Sequence, residues 1–157
     1  MKTLLLLLFR GLLRVAFGLY RTPRVKPPCI VVSNHNTMLD VYVLTMLFPW
    51  GALPRVRSAA AADTFSRGFF GLFCRLTLNP ILVRRQARFT AKDPLAQVRE
   101  ALRRGESLII FPEGSRGEPG VITPFKPGVG ALALEFPQVP IYPCFIAGLE
   151  RVLPRGE

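Results

Sequence analysis

Histidine occurs once in this chain, at position 35, and the first carboxylate of the chain, Asp40, follows five residues later. An imidazole can act as a general base near neutral pH. A carboxylate bonded to one ring nitrogen fixes the tautomer and leaves the other nitrogen free to take a proton. On one ideal helix a five-residue step turns through roughly 140° at about 3.6 residues per turn, so the two side chains cannot share a helix face. They meet only if His35 lies in a loop and Asp40 reaches back from the first turns of a following helix. The plainer alternative is a histidine that caps the loop and an aspartate that favours a helix N-terminus. A single His–Asp spacing arises often by chance and does not decide between the two.

A second candidate is Pro112-Glu113-Gly114-Ser115-Arg116-Gly117. Its proline and glycines impose a tight turn that presents Glu113 and Arg116 side by side. Such a loop can offer backbone N–H groups and a guanidinium fork to a phosphate, with the carboxylate ordering the arginine or a hydroxyl. As a plain turn it would carry a local ion pair worth little. Lys126, within Phe125-Lys126-Pro127-Gly128, falls in the same region. Arg84-Arg85, with Arg88 soon after, is either a basic cluster at the same sheet edge as His35 or a solvated turn. Cys29, Cys74 and Cys144 are odd in number, apolar in context and form no Cys-x-x-Cys pair. They read as reduced, buried thiols of a cytoplasmic protein, and no metal site is expected.

The elements that must position these groups alternate between strand and helix. Cys29-Ile30-Val31-Val32 reads as a buried strand and residues 37–48 as a helix ended by Pro49, with Asn34 and Asn36 able to cap it. His35 is thereby placed at the carboxyl end of a strand, where ligands collect in α/β sheets. Further strands are expected from about Leu53 to Ala59, at Ile81-Leu82-Val83, at Leu108-Ile109-Ile110-Phe111 and over residues 139–146. The last of these belongs at an edge because of its prolines. Helices are expected over residues 65–76, weakened by Gly68 and Gly71, over residues 94–104 after Asp93-Pro94, and over residues 129–136. The fold class is α/β: a central mixed, mostly parallel sheet flanked by helices.

At 157 residues this is one α/β domain, residues 27–157, preceded by a distinct block over residues 1–26. That block holds six lysines and arginines and no acid, and the whole chain carries a net charge of +11. At 100° per residue Thr3, Arg10, Arg14 and Arg21 form one narrow stripe on an otherwise apolar helix. Arg10 interrupts what would be the apolar core of a secretory signal, and no small-residue cleavage site follows. Two central arginines, each costing about 2.5–3.5 kcal/mol at the bilayer centre, disfavour a membrane span. An amphipathic helix lying on an anionic membrane surface, with arginines snorkelling to lipid phosphates, is expected instead, the alternative being a helix packed on the domain core. A nucleic-acid binder is disfavoured, because arginines and aromatics are not interleaved on a strand and no RRM, KH or helix-turn-helix pattern occurs.

Four blocks occur in order: Asn34-His35 with Asp40, Ile81 to Arg85, Phe111-Pro112-Glu113-Gly114-Ser115-Arg116, and Val139-Pro140-Ile141-Tyr142-Pro143. Together they resemble the glycerolipid acyltransferase family, best known for the 1-acylglycerol-3-phosphate acyltransferases. The likeness covers roughly residues 28–150, and the Phe125-Lys126-Pro127-Gly128 step is also similar. It implies that His35 is the general base on a lysolipid hydroxyl, oriented by Asp40, and that the hydroxyl attacks an acyl-CoA or acyl carrier protein thioester directly. It further implies that Arg85, Glu113, Gly114, Ser115, Arg116 and Lys126 hold the phosphate and glycerol of the acceptor. No metal or organic cofactor is implied, and the membrane-associated enzyme would work on the cytoplasmic face.

Two positions depart from the family pattern. Ser115 stands where threonine is commoner, and Arg84 stands where the second block often has an acid. The chain stops at Arg155-Gly156-Glu157, soon after the fourth block, where family domains commonly continue, so a minimal or C-terminally truncated domain is expected. Other lysolipids, an aminolipid among them, or glycerol 3-phosphate are alternative acceptors. A catalytically inert relative that only binds anionic lipid is the rival class.

Overall fold

The structure is a computed structural model in which residues 2–16, 18, 22–61, 68–83, 93–118 and 121–151 are described. Its strands are β1 (Ile30–Ser33), β2 (Val56–Ala61), β3 (Ile81–Val83), β4 (Ser107–Ile110) and β5 (Ile141–Cys144). Its helices are α1 (Lys2–Ala16), α2 (Leu39–Thr45), α3 (Gly68–Leu78), α4 (Ala96–Arg103) and α5 (Gly128–Glu135). The strands form one sheet in the order β3-β2-β4-β1-β5. Every described pairing is parallel, so the antiparallel component of the expected mixed sheet is not found among the described strands. The cause is the alternation itself. A helix lies between each strand and the next, returning the chain to the same end of the sheet.

Register puts Ile30 beside Leu108 on one side and Ile141 on the other, making β1 and β4 the central strands. Among the described residues β5 pairs only with β1 and is an edge, as its prolines lead one to expect. Both faces of the sheet are covered, which is why β1 and β4 read as continuous apolar runs rather than alternating ones. Ile30, Leu108 and Ile110 pack with Val98, Leu102 and Leu132 of α4 and α5. Val31 and Ile109, one residue out of phase, pack with Tyr42, Leu44 and Leu78 of α2 and α3 and with Leu6 and Leu13 of α1. From α4, Arg99 and Arg103 reach Glu135 of α5, holding the two outer helices together.

Element boundaries differ from the sequence reading where proline acts. Trp50–Arg55 is a 3₁₀ turn, so β2 begins at Val56 rather than near Leu53; Pro54 has no N–H to give a ladder. α2 is shorter than expected and ends at Thr45, with the chain turning through Met46 to Phe48 before Pro49. Asn34 and Asn36 do not cap it. Met38 stands at the cap position without a side-chain bond, and Thr37 Oγ1 instead accepts from the Leu39 N–H at 3.0 Å.

α1 is clasped by aromatic rings, Phe9 lying edge-on to Tyr42 at 4.7 Å and to Phe73 at 5.3 Å between centroids. Its orientation differs from the snorkelling picture. Arg10 is 3% exposed and donates from Nη2 to the Phe48 carbonyl, while Leu4, Leu8, Leu12 and Val15 face outward. Burial, and then the neighbouring Arg14, push the Arg10 guanidinium down to about 10. Among the described residues no helix is long and apolar enough to cross a membrane.

Candidate active site

The strand order reverses at the centre of the sheet: the chain leaves β1 toward β2 on one side and leaves β4 toward β5 on the other. The crevice at the carboxyl ends of β1 and β4 is therefore the ligand position expected of an open α/β sheet. His35 lies in the loop after β1 and Phe111 directly follows β4. Their rings stack with centroids 4.0 Å apart and planes 17° apart.

Asp40 occupies the first turn of α2 and is 1% exposed. Its Oδ2 accepts from His35 Nδ1 at 3.0 Å and from the Asn36 and Thr37 N–H groups at 2.7 and 2.8 Å. The backbone turn thus fixes the carboxylate first, and the carboxylate then fixes the imidazole. With Nδ1 donating to Asp40 the proton sits on that nitrogen, and Nε2 is left as the acceptor. Among the described residues Nε2 has no hydrogen-bond partner. Asp40 Oδ1 is buried and unpaired among the same residues, which keeps negative potential beside the ring where an imidazolium would form.

Glu113 is 5% exposed, and both of its oxygens are taken by the protein. Oε1 accepts from the His35 N–H at 3.0 Å, and Oε2 accepts from the Thr123 hydroxyl at 2.8 Å and the Thr123 N–H at 3.3 Å. The His35 carbonyl accepts from the Gly117 N–H at 2.8 Å, so one turn grips the histidine backbone at both its donor and its acceptor. The Glu113–Arg116 pair expected from sequence is not formed among the described residues. The carboxylate is turned inward as a strut between two loops. Asn34 ties the same loop to the exit of β5, exchanging two 2.8 Å bonds with the Ile146 backbone.

A cavity of about 460 Å³ adjoins these groups, within the range of small-molecule sites. His35, Gly114, Ser115 and Lys126 are among the residues that line it, together with the apolar Leu95, Val98, Ile110 and Leu132. Gly114 has φ +75, a conformation that favours glycine, and a Cβ there would stand 2.3 Å from Lys126 Nζ. The lysine side chain lies across the bare glycine, its backbone N–H anchored on the Pro112 carbonyl at 2.9 Å. Ser115 and Lys126 are exposed and Arg116 half-buried. Neither cation forms an ion pair among the described residues. Arg85, with Arg84 and Arg88, lies outside the described residues.

The structure therefore brings together His35, Asp40, Glu113, Gly114, Ser115 and Lys126, with Arg116 on the same turn. Sequence reasoning missed Phe111 and Thr123. Phe111 had one signal, an aromatic at a strand exit; Thr123, ten residues from its partner, had none. Burial pushes the Cys29 thiol up to about 11 and raises Cys74 and Cys144 as well. All three cysteines are free. Among the described residues no group of three His, Cys, Asp or Glu side chains is placed to hold a metal ion.

On this parallel sheet, with its His–Asp pair and glycine turn at adjoining strand ends, a model of the acyltransferase family matches residues 15–147. The chain belongs to that family. It is 34% identical over 117 residues to the human 1-acyl-sn-glycerol-3-phosphate acyltransferase beta, covering 74% of this chain and 40% of the relative. It is 28% identical over 140 residues to the chloroplastic 1-acyl-sn-glycerol-3-phosphate acyltransferase BAT2 of Brassica napus, covering 89% and 39%. The chain thus spans about two-fifths of the length of these relatives. No solved structure matches it.

Proposed function

We propose that the chain transfers a fatty acyl group from acyl-CoA or acyl carrier protein to the free hydroxyl of 1-acylglycerol 3-phosphate, giving phosphatidic acid. One observation carries the reading: His35, whose Nδ1 is held by a buried carboxylate and whose Nε2 has no partner among the described residues, lines a largely apolar cavity. His35 Nε2 takes the hydroxyl proton as the oxygen attacks the thioester carbonyl. The C–S bond then breaks, and the imidazolium returns the proton to the thiolate leaving group. Asp40 stabilises the imidazolium between these two steps. Attack is direct, in keeping with cysteines that burial keeps protonated and the lack of a hydroxyl bonded to His35 among the described residues.

The apolar part of the cavity suits an acyl chain. Ser115, Arg116 and Lys126 bind the acceptor phosphate, joined by Arg85 of the second block. Glu113 acts on the acceptor through the loop it braces. The names of the relatives support this acceptor. The outward leucines of α1, with Leu72 and Leu76 exposed on the neighbouring α3, support peripheral residence on a membrane, and its cytoplasmic face is part of the proposal. The test is a transfer assay with purified chain, acyl-CoA and lysophosphatidic acid, following thiol release and phosphatidic acid together. Both products should rise in step. Thiol release without acylated lipid, or neither product with any lysolipid or thioester donor, would refute the reading.

A further inference from the structure

The segment between the glycine turn and α5 holds large apolar side chains in the open. Val121, Ile122 and Phe125 are 53%, 55% and 59% exposed. They are not presented by a slack loop. Thr123 is bonded twice to the buried Glu113, and the Lys126 N–H is bonded to the Pro112 carbonyl, so an anchor stands on each side of Phe125. Pro124 and Pro127 fix two further φ angles. The exposed Lys126 side chain lies across Gly114 beside the cavity, while Phe125 next to it stays in the open.

We propose that Ile122 and Phe125 form a second membrane contact, separate from α1, that seats the rim of the cavity on an anionic phospholipid bilayer. The apolar pair enters the boundary between headgroups and acyl chains, and Arg116 and Lys126 lie at the level of the phosphates. Charge supports this occupant: residues 114–127 carry these two cations against a single acid, Glu118. Rigidity supports it too, since a loop already held at two points loses little conformational freedom on insertion. The contact is independent of α1, which packs with α2 and α3, whereas this segment leads into α5 on the opposite face of the sheet. The inference rests on the acyl-transfer reading in one respect, that the lipid acceptor passes from the bilayer into the cavity without crossing water.

The test uses the full chain and its Ile122→Asp/Phe125→Asp variant, with folding checked by circular dichroism and Ile122→Ser/Phe125→Ser as the substitute if the aspartates unfold it. Transfer is measured on long-chain lysophosphatidic acid in vesicles of phosphatidylcholine and phosphatidylglycerol. It is measured again on a short-chain, water-soluble lysophosphatidic acid without vesicles. The expected result is a loss of about tenfold or more on vesicles, from removing two inserted apolar side chains, with the soluble reaction nearly unchanged. Undiminished activity on vesicles would overturn the proposal, and so would an equal fall in both reactions, which would make the loop part of the catalytic frame. If the parent turned over neither acceptor, the acyl-transfer reading would fail, and flotation with the same vesicles would still decide the contact: weaker flotation of the variant supports it, equal flotation refutes it. Loss of a concentration-dependent dimer in the variant, with flotation unchanged, would assign the patch to a second copy and overturn the lipid surface.

Discussion

The two ends of the sheet treat their polar groups in opposite ways. At the amino ends of β2 and β4, Arg57 gives two N–H groups to Glu106 at 2.8 and 3.0 Å, and the Cys29 N–H is met by Ser107 Oγ. The Arg57 bonds, chiefly, hold the Glu106 carboxyl below its usual range. At the carboxyl ends of β1 and β4, Asp40 Oδ2 and both Glu113 oxygens are engaged with the loops that hold His35, while Asp40 Oδ1 is buried without a partner among the described residues. His35 Nε2 and the neighbouring Arg116 and Lys126 side chains keep no partner among the described residues. The amino end is closed on itself and can only stabilise. The carboxyl end is braced from behind and unpaired in front, which is the condition for acting on a substrate.

Substitutions at the two ends should therefore separate activity from stability. The largest effect is expected of His35→Ala: a fall in transfer of about a thousandfold or more, with the unfolding midpoint little changed, since general base catalysis contributes about 10²–10⁴. Glu113→Ala should cost both properties. It orphans the His35 N–H and the Thr123 hydroxyl, so stability should drop by about 2–4 kcal/mol in urea and turnover by roughly tenfold or more as the histidine loop loosens. A loss of acceptor affinity at unchanged turnover and stability would instead make Glu113 a direct ligand of the acceptor.

Phe111→Leu removes the ring beneath His35, and a few-fold loss in turnover is expected, in keeping with a stacked contact worth about 0.5–1.5 kcal/mol. Glu106→Gln is the smallest and tests the other end. A depressed folded-state pKa stabilises above the unfolded value near 4.3, and that contribution is lost as pH falls through the folded pKa. The variant should be about 1 kcal/mol less stable than the parent at neutral pH, equal to it in strong acid, and unchanged in transfer. Comparing urea midpoints at the two pH values checks it.

Much of this contrast was readable in the residues. The apolar runs of β1 and β4 and the glycine turn after Phe111 place the site on sequence alone, because strands buried on both faces leave unbroken hydrophobic runs. The His35–Asp40 pair was readable as a spacing, and loop geometry decided that it closes. Glu113 misled because a carboxylate beside Gly-Ser-Arg looks like part of a phosphate loop. Its partners, His35 and Thr123, are 78 and 10 residues away, and nothing in local composition marks them. α1 misled differently: a single arginine stripe shows that a helix has two sides but not which faces out. The Phe48 carbonyl, 38 residues away, turns Arg10 inward.

The most direct test of His35 as a base in direct transfer is a single turnover without acceptor. Enzyme in excess is mixed with acyl-CoA, thiol release is followed, and the intact mass of the protein is read at each time point. No stoichiometric thiol burst and no acylated protein should appear until lysophosphatidic acid is added, whereupon thiol and phosphatidic acid should appear together. A burst of one thiol per enzyme with an acyl group on the protein would contradict direct attack and assign the carboxyl end of the sheet a covalent intermediate.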